Sequence, residues 1–228
     1  MAEFSFSHDP ALLQRFPDLQ VAVLRVDDLD GIAAPALDPA PHLAGLAERL
    51  QATPEGEWPS IKAWRAAYGA MGLKPTQYRS AAEALLRRIR TDGALPRIHP
   101  VVDFCNAVSA AAAIPLAVFD IDRVEGALTV TLARGEERYL TFGGETEHPA
   151  PGEVIFRDRA GAAHARRWVN RQSALSAVSP QTRSALLVAE AMHAGAADEL
   201  TRMAEALRAG FAAAGAGVVA VAHPRSPL

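Results

Sequence analysis

Two polar side chains that can do chemistry share one face of a predicted helix. Pro100 stands at a favourable first helical position, and the residues after it predict a helix through Ala110. Asp103 and Asn106 are three residues apart, so the carboxylate and the amide project from the same face. Such a pair can bind a polar substrate. It can equally be structural, because a buried aspartate is usually paired and a helical asparagine usually belongs to a hydrogen-bond network.

The sequence contains no motif for metal, nucleotide or serine-nucleophile chemistry. The patterns GxxxxGK[ST], GxGxxG, HExxH and GxSxG are missing, and the seven histidines are scattered. Cys105 is the only cysteine, so neither an internal disulfide nor a Cys/His metal site is expected. We therefore predict no metal and no cofactor, and a catalytic triad only if distant residues assemble one in space.

The charge is distributed unevenly along the chain. The net charge is −3, yet residues 61–97 carry eight basic side chains against two acids, and residues 157–171 carry five arginines against one acid. Two basic segments in an otherwise acidic chain favour a local anionic partner, although solvated helix faces explain the pattern equally well. The bases of the first segment are Lys62, Arg65, Lys74, Arg79, Arg87, Arg88, Arg90 and Arg97.

The composition is that of an ordinary globular protein, with half of the residues apolar and 6% aromatic. A chain of 228 residues can bury a sizeable core without disulfides or a metal. No apolar stretch reaches membrane-spanning length, and the first ten residues lack the basic-then-apolar order of a signal peptide. We therefore expect a cytoplasmic protein that does not enter a membrane.

The order of the predicted elements favours an α+β fold. A strand and four helices come first, then five strand-like runs, then two alanine-rich helices and a closing strand. Ser80 and Glu83 form a capping box at the start of the third helix. The first strand is 16–26 and the helices are 41–50, 60–71, 81–90 and 100–110; the runs are 116–120, 127–132, 137–142, 154–156 and 165–169; the last elements are 180–194, 195–213 and 217–221.

Four stretches of the sequence stand in a characteristic order. Residues 64–88 contain WRAAY and EALLRR, and residues 95–109 read LPRIHPVVDFCNAVS. Residues 114–122 read IPLAVFDID, and residues 152–172 contain GEVIFRD and RRWVNRQ. Together these stretches resemble the B3/B4 editing domain of the phenylalanyl-tRNA synthetase β subunit. The RRWVNRQ segment is more similar to the free-standing members of that family.

This resemblance implies a single B3/B4-like α+β domain over residues 1–228. It would have a central mixed or antiparallel sheet, or a barrel-like core, flanked by helices. Residues 60–190 would be the family core, 1–59 an N-terminal strand and helix, and 191–228 a C-terminal helix and strand. The implied activity is a metal-independent, trans-acting deacylase that positions a water to hydrolyse the ester of a mischarged tRNA. The implied partner is the acceptor end of an aminoacylated tRNA, with no cofactor, DNA or membrane.

The resemblance and the needs of ester hydrolysis together assign roles to three groups of residues. His99 would orient the water, although beside Pro100 it is also a natural helix N-cap. Trp168 would stack on the terminal adenine or wall the pocket, although a tryptophan in a strand more often belongs to the core. The catalytic group is Asn106, Asp103, His99 and Glu190; the substrate-binding group is Ser109, Asp120, Trp168, Arg167, Arg171, Gln172 and Tyr78; the tRNA-binding group is Lys74, Arg79, Arg87 and Arg88.

One position departs from the family pattern. Where the synthetase has a histidine in its editing pocket, this chain has Ala117. Two alternatives to an editing enzyme therefore stand beside it. One is a non-catalytic module that binds the end of a tRNA or another RNA. The other, with less support, is a hydrolase of small amino-acid esters.

Overall fold

The computed structural model describes residues 4–32 and 36–228; residues 1–3 and 33–35 of the predicted N-terminal part lie outside the described residues. Within the described ranges two β-sheets pack against each other and helices flank them. The predicted α+β class with mixed and antiparallel sheets is confirmed, and the described strands do not close into a barrel. No helix in these ranges combines the length and the apolar character needed to cross a membrane.

The two sheets differ in their pairing. In the first, β1 and β4 run parallel and the other neighbours are antiparallel, whereas the second is antiparallel throughout. In spatial order the first sheet consists of β1 (Ser5–His8), β4 (Ala127–Leu132), β7 (Val154–Arg157), β8 (Ala163–Arg166) and β9 (Arg171–Gln172). The second consists of β11 (Gly217–Ala220), β2 (Gln20–Asp27), β10 (Ala185–Ala191) and β3 (Leu116–Asp120). A separate hairpin joins β5 (Tyr139–Leu140) and β6 (Thr146–Glu147).

Seven α-helices surround the sheets in the described ranges. Two of them cover the outer face of the second sheet, where the rings of Phe104 and Phe211 meet edge to face at 5.4 Å. In chain order the helices are α1 (Pro10–Arg15), α2 (Ala40–Leu43), α3 (Leu46–Ala52), α4 (Pro59–Ala70), α5 (Ala81–Asp92), α6 (Pro100–Ala112) and α7 (Ala196–Ala213). The pair on the sheet is α6 and α7.

The alternation of side chains along β10 divides the core into two layers. Ala185, Leu187 and Ala189 face α6 and α7, whereas Leu186 and Val188 face the first sheet. The residue that continues the inner row is Glu190, which therefore enters the space between the two sheets. A carboxylate so placed needs partners, because burying an unpaired charge is costly.

Two predicted helices have a different form in the structure. The prediction of a helix over 180–194 is wrong, since 185–191 is the strand β10. Every residue of β10 is buried and all except Glu190 are apolar, so no alternation marks it as a strand. The helix predicted over 41–50 is split into α2 and α3 at Gly45, whose φ of +70° ends the first segment.

The predicted capping box at α5 is half formed. The Ser80 hydroxyl accepts a hydrogen bond from the Glu83 backbone N–H at 3.3 Å, as predicted. The Glu83 carboxylate instead accepts from Arg65 at 2.7 Å and lies 3.5 Å from Arg79. Glu83 therefore ties α5 to α4 rather than completing the box.

We expect Ser80→Ala to lower the free energy of unfolding by about 1 kcal/mol, because it removes the acceptor at the start of α5. Urea denaturation of the variant and the wild type measures the difference. Thr76→Ala, at an exposed position before the helix, is the control and should change stability by less than about 0.5 kcal/mol. Equal effects of the two substitutions would show that the cap is not stabilising.

Candidate functional site

A polar cavity of about 460 Å³ opens beside the β5–β6 hairpin and β9. It contains two of the residues assigned to substrate binding by the resemblance, Arg171 and Gln172. Its lining mixes aromatic, hydroxyl and charged groups, which suits a polar ligand with a flat ring. The other lining residues are Tyr139, Thr141, Phe142, Gly143, Glu145 and Glu147.

Hydrogen bonds fix the wall of this cavity to the edge of the second sheet. The Gln172 side-chain N–H donates to the Val118 carbonyl of β3 at 2.6 Å. The Tyr139 hydroxyl donates to the Gln172 carbonyl at 2.7 Å, and burial raises the pKa of this hydroxyl, which keeps it protonated. The wall therefore adjoins the strand that carries Ala117, the position where the family pattern has a histidine.

Arg171 offers a partly free positive charge to the cavity. Its side chain is 43% exposed and lies 3.6 Å from Glu147, beyond a good hydrogen bond. The neighbouring Arg166 is buried, and Glu153 accepts hydrogen bonds from its guanidinium at 2.9 Å. Arg171 therefore keeps donors available for an incoming anion.

The aromatic ring that the cavity exposes is Phe142. Its side chain is 73% exposed, more than that of any other large apolar residue in the described ranges. Trp168, which the sequence suggested as a stacking platform, is fully buried between Phe16 and Trp64. That position leaves no face for a nucleobase and agrees with the alternative interpretation of Trp168 as a core residue.

Glu190 accepts hydrogen bonds from two buried side chains. The Trp168 indole N–H donates to Oε1 at 2.9 Å, and His8 Nε2 lies 2.7 Å from the same oxygen. His8 Nδ1 in turn lies 3.0 Å from Nε2 of His223, and the Arg225 backbone N–H donates to His223 Nδ1 at 3.1 Å. This pattern fixes both tautomers, with His223 donating to His8 and His8 donating to Glu190.

The network contains one neutral histidine ring and one carboxylate oxygen without a partner among the described residues. Burial, together with the charges of His8 and Arg225, lowers the pKa of His223 to about 4, so this ring is neutral at neutral pH. The second carboxylate oxygen, Glu190 Oε2, is buried and has no hydrogen-bond partner among the described residues. The sequence analysis predicted a catalytic role for Glu190, which stays a prediction, and assigned no role to His8 or His223.

The candidate catalytic residues of α6 lie away from Glu190. α6 packs on the face of the second sheet opposite the one from which Glu190 projects. The Asp103 carboxylate accepts from the Ile98 N–H at 2.8 Å, and the His99 ring accepts from the Val101 N–H at 3.3 Å. Both side chains therefore cap the start of α6, which agrees with their alternative structural interpretations.

The remaining α6 candidates have different surroundings. The Ser109 hydroxyl donates to the Ile114 carbonyl at 2.6 Å, and Asn106 is half-buried. At the end of β3, Asp120 accepts from the Thr182 hydroxyl at 2.7 Å, which holds β3 beside the start of β10. Ser109 and Asp120 are thus engaged in local structure, and the role of Asn106 stays a prediction.

Arg167 occupies an unusual backbone position. Arg167 and Trp168 have φ angles of +46° and +58°, in the left-handed region that non-glycine residues rarely enter. The Arg167 guanidinium lies over the ring of Tyr78, 4.6 Å from its centre. Arg167 and Tyr78, both predicted to bind substrate, therefore form a cation–π pair. This pair links the end of β8 to the segment before α5.

The predicted tRNA-binding residues are at the surface near α5, but two of them are engaged. Arg79 lies 3.5 Å from Glu83, and Arg88 lies 3.3 Å from Asp92. The side chains of Lys74 and Arg87 are exposed.

A serine, a histidine and an aspartate also come together in the first sheet. His164 Nδ1 lies 2.8 Å from the Ser176 hydroxyl, and Nε2 lies 3.1 Å from Asp158. The serine and the histidine are fully buried, so no nucleophile is presented to a substrate. The triad holds the β7–β8 hairpin against the 3-10 helix Ala174–Ser176. Within residues 4–32 and 36–228, no three His, Cys, Asp or Glu side chains are grouped as ligands for a metal ion.

Comparisons with known proteins identify one family. The family model of the B3/4 domain matches residues 63–206. No curated protein matches the sequence. A similar solved structure is an N-terminal fragment of the phenylalanyl-tRNA synthetase β-subunit from Pyrococcus horikoshii, with 11% identity and a TM-score of 0.48. The match covers 98% of this chain and 53% of that chain, so this chain spans about half the length of the fragment.

Proposed function

Because the chain belongs to the B3/4 domain family, we propose that it is a trans-acting aminoacyl-tRNA deacylase. The observation that carries the proposal is the cavity at Arg171 and Gln172. These residues were assigned to substrate binding by the sequence resemblance, and they line a polar cavity with an exposed aromatic ring. A terminal adenosine bearing an amino acid offers a base to stack, a phosphate and an ammonium group, and the cavity has a complement for each.

In this proposal the lining residues orient the substrate and its water. Phe142 stacks on the terminal adenine, and Arg171 binds the terminal phosphate or ribose. Glu145 provides a carboxylate for the α-ammonium group. Ester hydrolysis in such a site needs no strong nucleophile, because orientation alone can supply about 7–11 kcal/mol of the barrier.

A deacylation screen tests this function. Purified protein is mixed with a panel of tRNAs, each charged with a labelled cognate or near-cognate amino acid, and the loss of label is followed over minutes. Cleavage of a mischarged tRNA that persists in EDTA supports the deacylase. Asn106→Ala, assayed on the same tRNA, tests the predicted role of this amide. No cleavage of any charged tRNA would reject the proposal.

We expect Arg171→Ala to lower kcat/KM for the cleaved tRNA by roughly 10- to 100-fold. The reason is that a hydrogen bond to a charged group contributes about 1.5–3 kcal/mol. Arg208→Ala, an exposed arginine on α7, is the matched control and should retain the wild-type rate. Equal losses of kcat/KM in both variants would show that Arg171 has no specific role in substrate binding.

A second candidate function is a module that binds tRNA without cleaving it. Two observations favour it: Asp103 and His99 are used in capping α6, and Ala117 replaces the family histidine. Binding of charged tRNA to the wild type without loss of label, weakened by Arg171→Ala, is the expected result for this module.

A further inference from the structure

A second and larger cavity, about 540 Å³, lies on the outer side of the first sheet. Ala127 and Thr129 form part of its floor, since they alternate with Leu128 and Val130, which face the interior. Four arginines line this cavity, which we call the arginine cleft: Arg134, Arg138, Arg157 and Arg159. Two of them belong to the basic segment 157–171 that the sequence singled out.

The acids of the arginine cleft are largely committed to other partners. Glu137 accepts hydrogen bonds from the backbone N–H groups of Arg134 and Gly135 at 3.0–3.1 Å, and lies 3.3 Å from Arg157. Asp158 accepts from the Ala162 N–H at 2.8 Å and from His164.

Three guanidinium groups face the opening of the cleft. The side chains of Arg134, Arg138 and Arg159 are exposed, and no carboxylate of the described residues lies within 4.0 Å of their charged nitrogens. One exposed acid, Glu136, stands beside them. The opening therefore carries an excess of positive charge.

Local structure holds two of these arginines over the cleft. Arg138 Nη2 donates to the Ala160 carbonyl at 3.3 Å. The Arg159 side chain lies against Gly126, whose φ is +74°; a Cβ there would lie 2.8 Å from Arg159 Cδ. The missing side chain of Gly126 thus makes room for the Arg159 stem.

The arginine cleft and the cavity of Arg171 lie on two sides of the segment that leads into β5. Arg138 lines the cleft and the next residue, Tyr139, lines the smaller cavity. Successive residues of an extended strand point in opposite directions and their Cα atoms are about 3.8 Å apart. The two cavities are therefore separated by little more than the thickness of this segment, and a polymer that passes around it can contact both.

We propose that the arginine cleft binds consecutive phosphates of the RNA strand whose end occupies the cavity of Arg171. Guanidinium groups match phosphate oxygens with paired donors, and three of them suit a chain of phosphodiesters better than one small anion. This inference rests on the proposed function, since it takes tRNA as the ligand. It assigns the main phosphate contacts to the first sheet instead of α5, where Arg79 and Arg88 are paired with acidic side chains.

The test is binding of fluorescently labelled, uncharged tRNA, followed by anisotropy at several salt concentrations. The cleft variant replaces Arg134, Arg138 and Arg159 with glutamine, which keeps part of each side-chain stem. Each phosphate contact contributes about 0.9 to the slope of log K against log salt, so the slope should fall by about two to three. At about 0.15 M salt the dissociation constant should rise on the order of a hundredfold.

A control variant carries the same change at three exposed arginines elsewhere, Arg183, Arg202 and Arg208. We expect it to bind as the wild type does, and both variants to keep the wild-type melting temperature. Unchanged binding by the cleft variant, or an equal loss in the control, overturns the inference.

The same proteins assayed for deacylation separate the two proposals. If the cleft variant binds tRNA weakly and the wild type cleaves no charged tRNA, the cleft proposal is supported and the deacylase proposal is rejected. If the wild type cleaves a charged tRNA and the cleft variant shows unchanged binding and turnover, the deacylase proposal is supported and the cleft proposal is rejected.

Discussion

Trp168→Ala is expected to lower the free energy of unfolding by about 3–5 kcal/mol, the usual cost of removing a large buried aromatic side chain. Trp168 is fully buried and packs edge to face against Phe16 at 4.9 Å and Trp64 at 5.1 Å. Its indole N–H also donates to the buried Glu190 carboxylate at 2.9 Å. The substitution therefore opens a cavity between the sheets and removes one hydrogen-bond donor from the buried Glu190 side chain.

Trp168→Phe separates the two contributions. Phenylalanine fills most of the space but cannot donate to Glu190, so a loss of about 1–3 kcal/mol is expected from the weakened solvation of the carboxylate. Urea denaturation measures all of these values. Phe142→Ala, at a ring 73% exposed, is the control and should change stability by less than about 0.5 kcal/mol. If Trp168→Ala behaves like this control, the indole does not support the interior.

Lowering the pH from 6.5 to 4 is expected to reduce the free energy of unfolding by up to about 3 kcal/mol through His223. Its pKa is lowered from 6.5 to about 4 in the folded state, chiefly by burial. Between these values the unfolded chain takes up a proton that the folded chain does not, so protonation favours unfolding. This contribution is fully present above pH 6.5 and falls by about 1.4 kcal/mol per pH unit as the pH decreases towards 4.

The comparison with His223→Gln isolates this contribution. Burial also lowers the pKa values of His42 and His99, so part of the pH dependence has other sources. A glutamine amide can still donate to His8 but does not titrate. The difference in unfolding free energy between the wild type and the variant should therefore shrink or reverse from pH 6.5 to 4. Parallel pH profiles would contradict the shifted pKa of His223.

The elements with local start and stop signals could be predicted from the sequence. Ser80 and Pro100 mark the starts of α5 and α6, and both helices begin where these residues indicate. β10 could not be predicted, because a strand buried on both faces lacks alternation and its alanines and leucines also suit a helix. β1 was missed because its four residues pair with β4, far away in sequence.

The sequence pointed to the candidate site only where a family motif marks it. Arg171 and Gln172 were predicted to bind substrate through the RRWVNRQ segment; they line one cavity, and their role stays a prediction. Phe142 lies in the connection between β5 and β6, and its exposure depends on the tertiary packing of this hairpin, which no local pattern encodes. His8 and His223 were missed because they are isolated histidines, brought together by β1 and by the segment after β11.

The network of His8, Glu190 and His223 also affects the protein while it is being made. His8 and His223 are separated by 215 positions, which a ribosome adding about 5–20 residues per second covers in roughly 10–40 s. During that time β2 lacks its neighbour β11, and the His8 ring lacks the donor that His223 provides. This interior can thus close only after His223 has left the ribosome, and chains interrupted earlier expose the surfaces that chaperones and proteases recognise.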